Sequence, residues 1–231
     1  MKKLMLMFTF MACLLAAEAR PAKILNDKLP LKIIAALKKT NLPMFFMISG
    51  DGGWTSFDQS LAESLAKKGI PVVGLDAQKY FWNKKTPDIV AAELGKVMGQ
   101  YMEQLGKEEV VLLGFSFGAS IVPFVATRLS AVLKPQLSAV LSMSPDTNAD
   151  FEIHIADMLN FGGSKGKYNV LAEMSKLKSV TVMNFFGKAE GTRIPNQFIR
   201  QGLKVQILPG DHHYANDFEG LSKILINAIT K

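Results

Sequence analysis

Short, almost uninterrupted apolar runs alternate with longer amphipathic segments along most of this chain. Apolar runs predict buried strands at residues 44–49, 70–75, 110–113, 140–143, 180–185 and 205–208. Apolar residues at helical spacing predict helices at residues 57–68, 87–105, 117–129 and 216–229. Because strands that are apolar on both faces are typical of parallel sheets, the pattern predicts an α/β fold with a mostly parallel sheet and helices on both faces. The more polar segment 144–178 predicts a small insertion over one edge.

The composition indicates one globular domain without an evident cofactor. The chain has 231 residues, of which 48% are hydrophobic, and this is enough for one sizeable core. One Cys excludes an intramolecular disulfide framework and three His disfavour a multi-histidine metal site, so we expect no cofactor and no metal. The net charge of +7 suits either simple solubility or peripheral contact with an anionic membrane. No Lys/Arg-dense run is interleaved with aromatic residues, so nucleic-acid binding is not predicted.

The N-terminal segment has the pattern of a secretory signal peptide. A short basic start precedes an uncharged apolar run at 4–17, and Ala17-Glu18-Ala19 has the small-x-small form of a cleavage site. We therefore predict a signal peptide over 1–19 and a single secreted domain over 20–231. An oxidising compartment suits a mature chain without cysteine. Acylation at Cys13 is an alternative, but the residues that precede it make a poor lipobox.

The segment Gly114-Phe115-Ser116-Phe117-Gly118 is a G-x-S-x-G sequence between a predicted strand and a predicted helix. In that context a sharp turn presents the central hydroxyl at the carboxyl end of the sheet, next to the N-terminus of the following helix. Ser116 is therefore a candidate nucleophile. The uncharged run 110–127 is long enough to suggest a membrane span, but its Gly, Ser and Pro residues favour a buried strand, turn and helix.

A nucleophilic serine needs a base, and two adjacent histidines occupy a suitable loop. His212 and His213 follow the last predicted strand and precede the last predicted helix, which is where the base comes in the chain order Ser, acid, His. Of the two, His212 is favoured because a base in this setting is often followed at the second position by an aromatic residue, here Tyr214. His154, on an amphipathic stretch, is interpreted as structural.

The acid is expected after the penultimate strand. There, Gly187-Lys188-Ala189-Glu190 has the G-x-x-acid spacing of such loops, so Glu190 is the candidate that would orient the imidazole and stabilise its charged form. A solvated surface carboxylate is the simpler alternative for Glu190. Asp211 and Asp217 are less well placed because they share the loop of the base.

A tetrahedral oxyanion needs backbone N–H donors. Phe117, the residue after the nucleophile, is the first candidate, and the glycine-rich turn at 50–53 offers a second donor from Asp51 or Gly52. The Asp51 carboxylate would repel a developing negative charge. It must therefore either point away or bind a cationic part of the substrate, and the sequence leaves both alternatives open.

Several segments of the chain resemble the bacterial VirJ family, including the related C-terminal domain of AcvB. They include SGDGGW at 49–54, VVGLD at 72–76, YFW at 80–82, GFSFGA at 114–119 and LPGDHHY at 208–214. The resemblance implies an α/β-hydrolase fold, a periplasmic location, an accessory role in type IV secretion and virulence, and hydrolysis of aminoacyl esters of phosphatidylglycerol, notably the lysyl ester. The stretch 187–195 shows no family pattern, so the acid assignment depends on spacing alone.

The implied substrate suggests further roles. A cationic aminoacyl group would favour a nearby carboxylate, for which Asp51, Asp76 and Glu152 are candidates. Trp54 and Tyr80 are further candidates for contact with substrate. Tyr80-Phe81-Trp82 would contact lipid or substrate, or would pack in the core.

Two functional hypotheses follow from the sequence. The first is a secreted serine esterase that acts on a small-molecule or lipid ester. The second is a non-catalytic periplasmic chaperone or adaptor that contacts secretion-system proteins. The presence of a nucleophile turn, a histidine loop and a glycine-rich oxyanion turn favours the esterase.

Overall fold

A computed structural model of the protein describes residues 29–153 and 166–230. The strands are β1 Leu31–Ile34, β2 Met44–Ile48, β3 Val72–Leu75, β4 Val110–Phe115, β5 Leu137–Met143, β6 Asn148–Ala149, β7 Tyr168–Asn169, β8 Thr181–Gly187 and β9 Val205–Leu208. The helices are α1 Ser56–Lys67, α2 Ala77–Tyr80, α3 Pro87–Leu105, α4 Phe117–Thr127, α5 Val170–Met174, α6 Arg193–Arg200 and α7 Phe218–Ile229. The predicted signal peptide, Cys13 and His154 lie outside the described residues.

Within these residues the main sheet has seven strands in the order β1-β3-β2-β4-β5-β8-β9. Strand β1 pairs antiparallel with β3, and every other pairing in this sheet is parallel. This arrangement confirms the predicted mostly parallel sheet. Because parallel strands end at the same edge, the residues that follow β2, β4, β5, β8 and β9 are brought to one end of the molecule.

Both faces of the sheet are buried, as predicted. Along β2, Phe46 and Ile48 contribute to one apolar cluster with α3 and α4, whereas Phe45 and Met47 contribute to a second cluster with α1 and α7. Alternate residues of a strand point to opposite faces, so a strand covered on both sides is apolar throughout. The side chains of β2 are accordingly fully buried.

The central helices match the prediction, whereas several short elements were missed. Helix α3 begins and ends where the sequence predicts, because Thr86 caps its N-terminus, Pro87 occupies its first turn and Gly106 ends it with a left-handed backbone at φ 61°. Strand β1 and helices α2 and α6 were not predicted. The first two have only four residues each, which is too short for a periodic pattern, and β1 is an edge strand with two exposed positions.

The predicted start of the last helix was wrong. The helix was predicted to begin at residue 216, but it begins at Phe218, and Asn216 has a left-handed backbone at φ 54°. The cap is Asp217, whose carboxylate accepts a hydrogen bond of 2.9 Å from Gly220 N–H. The loop that carries the histidines is therefore longer and more sharply bent than the sequence suggested.

The described parts of the segment 144–178, residues 144–153 and 166–178, contain more regular structure than their polar composition suggested. They contain the β6–β7 pair and α5, and they pack on α4 rather than only over a sheet edge. Phe151 and Tyr168 meet Phe124 of α4 with ring centroids 5.5 and 5.9 Å apart. The buried carboxylate of Glu173 accepts hydrogen bonds from Arg128 and Thr127 at the end of α4. Aromatic packing and a buried ion pair thus hold this segment in place.

In the part of the chain that the structure describes, no helix is both long and apolar enough to cross a membrane. The uncharged run 110–127 is divided between β4 and α4, in agreement with the prediction.

Candidate active site

Ser116 occupies the turn between β4 and α4. Its backbone has φ 53° and ψ −115°, a conformation that is unusual for a residue other than glycine. The turn is possible because of two glycines. A methyl group at Gly114 would lie 2.3 Å from Gly118 O, and one at Gly118 would lie 2.1 Å from Ile48 O. The side chain of Ser116 is partly exposed, so its hydroxyl stands at the carboxyl edge of the sheet.

This packing predicts that Gly118→Ala will strongly destabilise the fold. The methyl group would overlap backbone atoms of β2, which cannot move without disturbing the centre of the sheet. We expect a loss of several kcal/mol, comparable to severe overpacking. Thermal unfolding measured by circular dichroism would test this. Gly99→Ala is the control, because its methyl group has 3.7 Å of clearance and alanine favours the interior of α3 by about 1 kcal/mol. Equal stability of the two variants would contradict the packing argument.

Glu190 lies beside His212, with 2.6 Å between Glu190 Oε1 and His212 Nδ1. The other oxygen, Oε2, accepts hydrogen bonds from Ser144 Oγ at 2.8 Å and from Gly187 N–H at 2.6 Å. Burial favours the neutral form of Glu190, but the hydrogen bonds outweigh burial and lower its pKa below the ordinary value, with His212 the largest contributor. A carboxylate held ionised next to an imidazole can fix its tautomer and orientation.

The two histidines occupy different environments. His212 is half-buried and meets the ring of Phe115, the residue before Ser116, at 5.1 Å between centroids. His213 is exposed, and its ring packs edge-on against Phe57 at 5.4 Å. The backbone N–H of His213 donates to the carboxylate of Asp211 at 2.9 Å, so that carboxylate is engaged within its own loop. The structure therefore brings His212, and not His213, to Glu190.

The glycine-rich turn after β2 lies against the serine. A methyl group at Gly50 would be 3.4 Å from Ser116 Cβ. Gly52 N–H donates to the carboxylate of Asp51 at 3.0 Å and is therefore already engaged. Within residues 29–153 and 166–230, the backbone N–H groups of Asp51 and Phe117 make no hydrogen bond. Of the two alternatives in this turn, Asp51 N–H is thus the one left available to an oxyanion.

Of the residues predicted to contact substrate, Asp76 and Tyr80 are buried and Trp54 is half-buried. Asp76 is 5% exposed and caps α2 by accepting a hydrogen bond from Lys79 N–H. Tyr80 is also 5% exposed, and its hydroxyl donates to Glu93 at 2.5 Å. Trp54 covers Gly74 of β3 with its ring, where a methyl group would overlap the indole, and its N–H donates to Gln59 at 2.8 Å.

Two residues next to the site were not predicted. Ser144 directly follows β5, between the ends of β4 and β8, and its hydroxyl contacts Glu190. Tyr214 lies in the histidine loop and its hydroxyl contacts Ser144 at 2.6 Å. A signal for Ser144 was available, because a polar residue that directly follows a buried parallel strand belongs to the same edge as Ser116.

The described residues contain no group of three or more His, Cys, Asp or Glu side chains arranged to hold a metal ion.

Solved structures show the same architecture. The chain resembles a proline iminopeptidase from Mycobacterium smegmatis with a TM-score of 0.62 and 12% identity, over 86% of this chain and 93% of that one. It resembles MenH from S. aureus with a TM-score of 0.61 and 11% identity, over 86% and 97%. For a lipase-esterase related protein from Clostridium acetobutylicum the TM-score is 0.61 and the identity 14%, over 87% and 100%. These likenesses define an α/β-hydrolase fold.

The family is more specific than the fold. Residues 43–231 match the family described as bacterial virulence protein (VirJ), and the chain belongs to that family. No curated protein matches the chain.

Proposed function

We propose that this protein is a serine ester hydrolase in which Ser116 is the nucleophile, His212 the general base and Glu190 the acid that orients the histidine. The observation that carries the proposal is the 2.6 Å contact between Glu190 and His212 in the loop beside the strained Ser116 turn. The chain order Ser, acid, His and the position of each residue after a parallel strand support it. Fold alone would not, because one fold carries many functions.

The proposed reaction proceeds in two steps. Ser116 Oγ attacks the ester carbonyl while His212 Nε2 takes the hydroxyl proton, and Glu190 stabilises the imidazolium that forms. The backbone N–H groups of Phe117 and Asp51 would stabilise the oxyanion. His212 then gives its proton to the leaving alcohol, which departs as an acyl-serine ester remains. Water, activated by His212, hydrolyses that ester and restores the Ser116 hydroxyl.

The substrate we propose is an aminoacyl ester of phosphatidylglycerol, with the lysyl form as the leading candidate. Membership of the VirJ family supports this choice through the activity that the resemblance implies. The chemistry is compatible, because an aminoacyl ester offers a carbonyl to Ser116 and an alcohol leaving group. Asp51 is partly exposed in the turn beside the serine, so its carboxylate could attract the cationic aminoacyl group. The same proposal places the protein in the periplasm.

An exposed aromatic residue supports contact with a lipid surface. Trp82 is 53% exposed and directly follows Phe81, whose ring meets that of Phe117 at 5.1 Å. Lys79 and Lys84 are exposed on either side of it in the sequence. An exposed Trp between cationic side chains suits the interface of an anionic bilayer, and here it would bring Ser116 close to the headgroups.

This surface predicts a selective effect of Trp82→Ala. We expect hydrolysis of lysyl-phosphatidylglycerol in anionic vesicles to fall about 5- to 20-fold, because an interfacial anchor is lost, while hydrolysis of a short soluble ester stays within about twofold. Vesicle co-sedimentation should fall in parallel. Ile199→Ala is the matched control, since Ile199 is 55% exposed but lies on α6, away from the serine turn. A similar loss on both substrates would contradict a membrane role for Trp82.

The substrate assignment is tested by supplying the purified protein with lysyl-phosphatidylglycerol vesicles and, separately, with a short soluble ester. Release of lysine from the lipid supports the full proposal. Cleavage of the soluble ester alone supports a serine hydrolase with a different substrate. Activity on neither, together with no labelling by a serine-reactive phosphonate, would favour the adaptor linked to type IV secretion.

A further inference from the structure

A line of buried hydroxyl groups lies behind the proposed acid. Ser144 Oγ is 2.8 Å from Glu190 Oε2, and Tyr214 Oη is 2.6 Å from Ser144 Oγ. Tyr214 Oη is also 3.0 Å from Phe185 O. Ser144 and Tyr214 are 7% and 2% exposed. Because both hydroxyl groups are buried, leaving either of them without a hydrogen-bond partner would lower the stability of the protein.

The charge of Glu190 fixes the direction of its hydrogen bond with Ser144. An ionised carboxylate can only accept, so the single hydroxyl proton of Ser144 must point to Glu190. Tyr214 has a single hydroxyl proton and two acceptors within reach, Ser144 Oγ at 2.6 Å and Phe185 O at 3.0 Å. Ser144 therefore donates to Glu190, and Tyr214 lies behind it with one proton shared between Ser144 Oγ and Phe185 O. His212 N–H donates to the carboxylate from the opposite side.

The backbone at both hydroxyl residues is also unusual. Ser144 and Tyr214 have left-handed φ values of 55° and 53°. Such conformations persist in residues other than glycine only where the surroundings enforce them. Here the backbone N–H of Ser144 donates to Phe185 O at 2.7 Å, the same carbonyl that Tyr214 reaches. The two strained residues are thus tied to each other and to the end of β8, next to the loop of Glu190.

We infer that Ser144 and Tyr214 are positioning residues, which hold the carboxylate of Glu190 so that its Oε1 faces His212. The effect of these two residues on catalysis rests on the proposed function. Neither residue contacts the reacting atoms. The hydroxyl chain binds Oε2, and this leaves Oε1 as the oxygen available to the imidazole. Gly187 N–H also binds Oε2 at 2.6 Å, so loss of the Ser144 hydroxyl would loosen the carboxylate and weaken its contact with His212 without releasing it.

The first test compares three variants, Ser144→Ala, Ser144→Gly and Tyr214→Phe, on a short soluble ester. We expect both Ser144 variants to lower kcat about 10- to 100-fold with KM unchanged, because each removes a hydrogen bond to a charged group. Tyr214→Phe acts one step further away, so its loss should be about 3- to 10-fold. Ser144→Gly separates the hydroxyl from the backbone, because glycine adopts a left-handed φ freely. Normal kcat in Ser144→Gly would overturn the inference.

A double-mutant cycle tests whether Ser144 acts through Glu190. In a Glu190→Ala background, Ser144→Ala should change kcat by less than about twofold, because the carboxylate that the hydroxyl holds is gone. The same loss in both backgrounds would overturn the inference. Ser138→Ala, at the opposite end of β5, is the matched control and should leave kcat unchanged.

A readout independent of turnover separates this inference from the proposed function. The Nδ1–H proton of a histidine bound to a carboxylate gives a far-downfield proton NMR signal. We expect this signal in the wild type, its loss in Glu190→Ala and its displacement in Ser144→Ala and Tyr214→Phe. If the wild type had no esterase activity but the signal moved in Ser144→Ala and Tyr214→Phe, the positioning role would be supported and the proposed function refuted. An active wild type with an unmoved signal in both hydroxyl variants would overturn the inference alone.

Discussion

Replacement of Ser116 by alanine is expected to reduce kcat for ester hydrolysis by about 10⁴- to 10⁶-fold, the range found when a serine nucleophile is removed. The variant keeps the glycines that permit the turn, so its stability should stay within about 1 kcal/mol of the wild type. Steady-state hydrolysis of a short soluble ester measures the loss. Labelling by a serine-reactive phosphonate should disappear with it.

Ser179→Ala is the matched control for this experiment. Ser179 is exposed and precedes β8, at the opposite end of the sheet from Ser116. It should retain full activity and full labelling. If Ser116→Ala hydrolysed the ester at the wild-type rate, another residue would be the nucleophile and the proposed mechanism would fail.

Alanine substitutions of the adjacent histidines should have very different effects. His212→Ala should lower kcat by about 10⁴-fold or more, because it removes the base and leaves Glu190 without its 2.6 Å partner. His213→Ala should lower kcat by less than about fivefold, since its exposed ring packs on Phe57 and makes no hydrogen bond to Glu190. The two substitutions make the same chemical change one position apart, so each is a control for the other. Measurements of kcat and KM on a soluble ester decide between them.

The opposite ranking would contradict the site described here. If His213→Ala were the inactive variant and His212→Ala nearly normal, the base would lie on the other side of the loop. The contact between His212 and Glu190 would then be a structural ion pair rather than part of the reaction. Thermal unfolding of both variants would show whether a loss of activity reflects chemistry or folding.

Much of the fold follows from local sequence patterns. Buried parallel strands are apolar at every position, and amphipathic helices repeat with their own period, so β2, β9 and α3 were predicted nearly residue by residue. Strand β4 was predicted two residues short at its C-terminal end. Patterns of this kind need several repeats to be visible. Strand β1 and helix α2 are single short stretches, and their formation depends on the neighbouring β3 and on the Asp76 cap.

The sequence predicted most of the residues of the candidate site that follow a strand. Ser116 and Glu190 each come directly after a parallel strand or its first turn, and the topology brings such positions to one edge. The substrate-contact predictions depended on side-chain direction instead. In the structure, the side chain of Asp76 caps α2, the hydroxyl of Tyr80 binds Glu93, and the indole N–H of Trp54 binds Gln59. No local pattern indicates these directions.

Local sequence patterns were sufficient to predict the buried strands, the strained turn at Ser116 and the loops that carry Glu190 and the histidines, because these patterns involve residues within a few positions of one another. Which histidine meets Glu190 depended instead on tertiary packing. That packing also brought together Ser144 and Tyr214, which are 70 residues apart in the chain. Hydrogen bonds between such distant residues depend on how strands and loops pack at the sheet edge, and no local pattern records that packing.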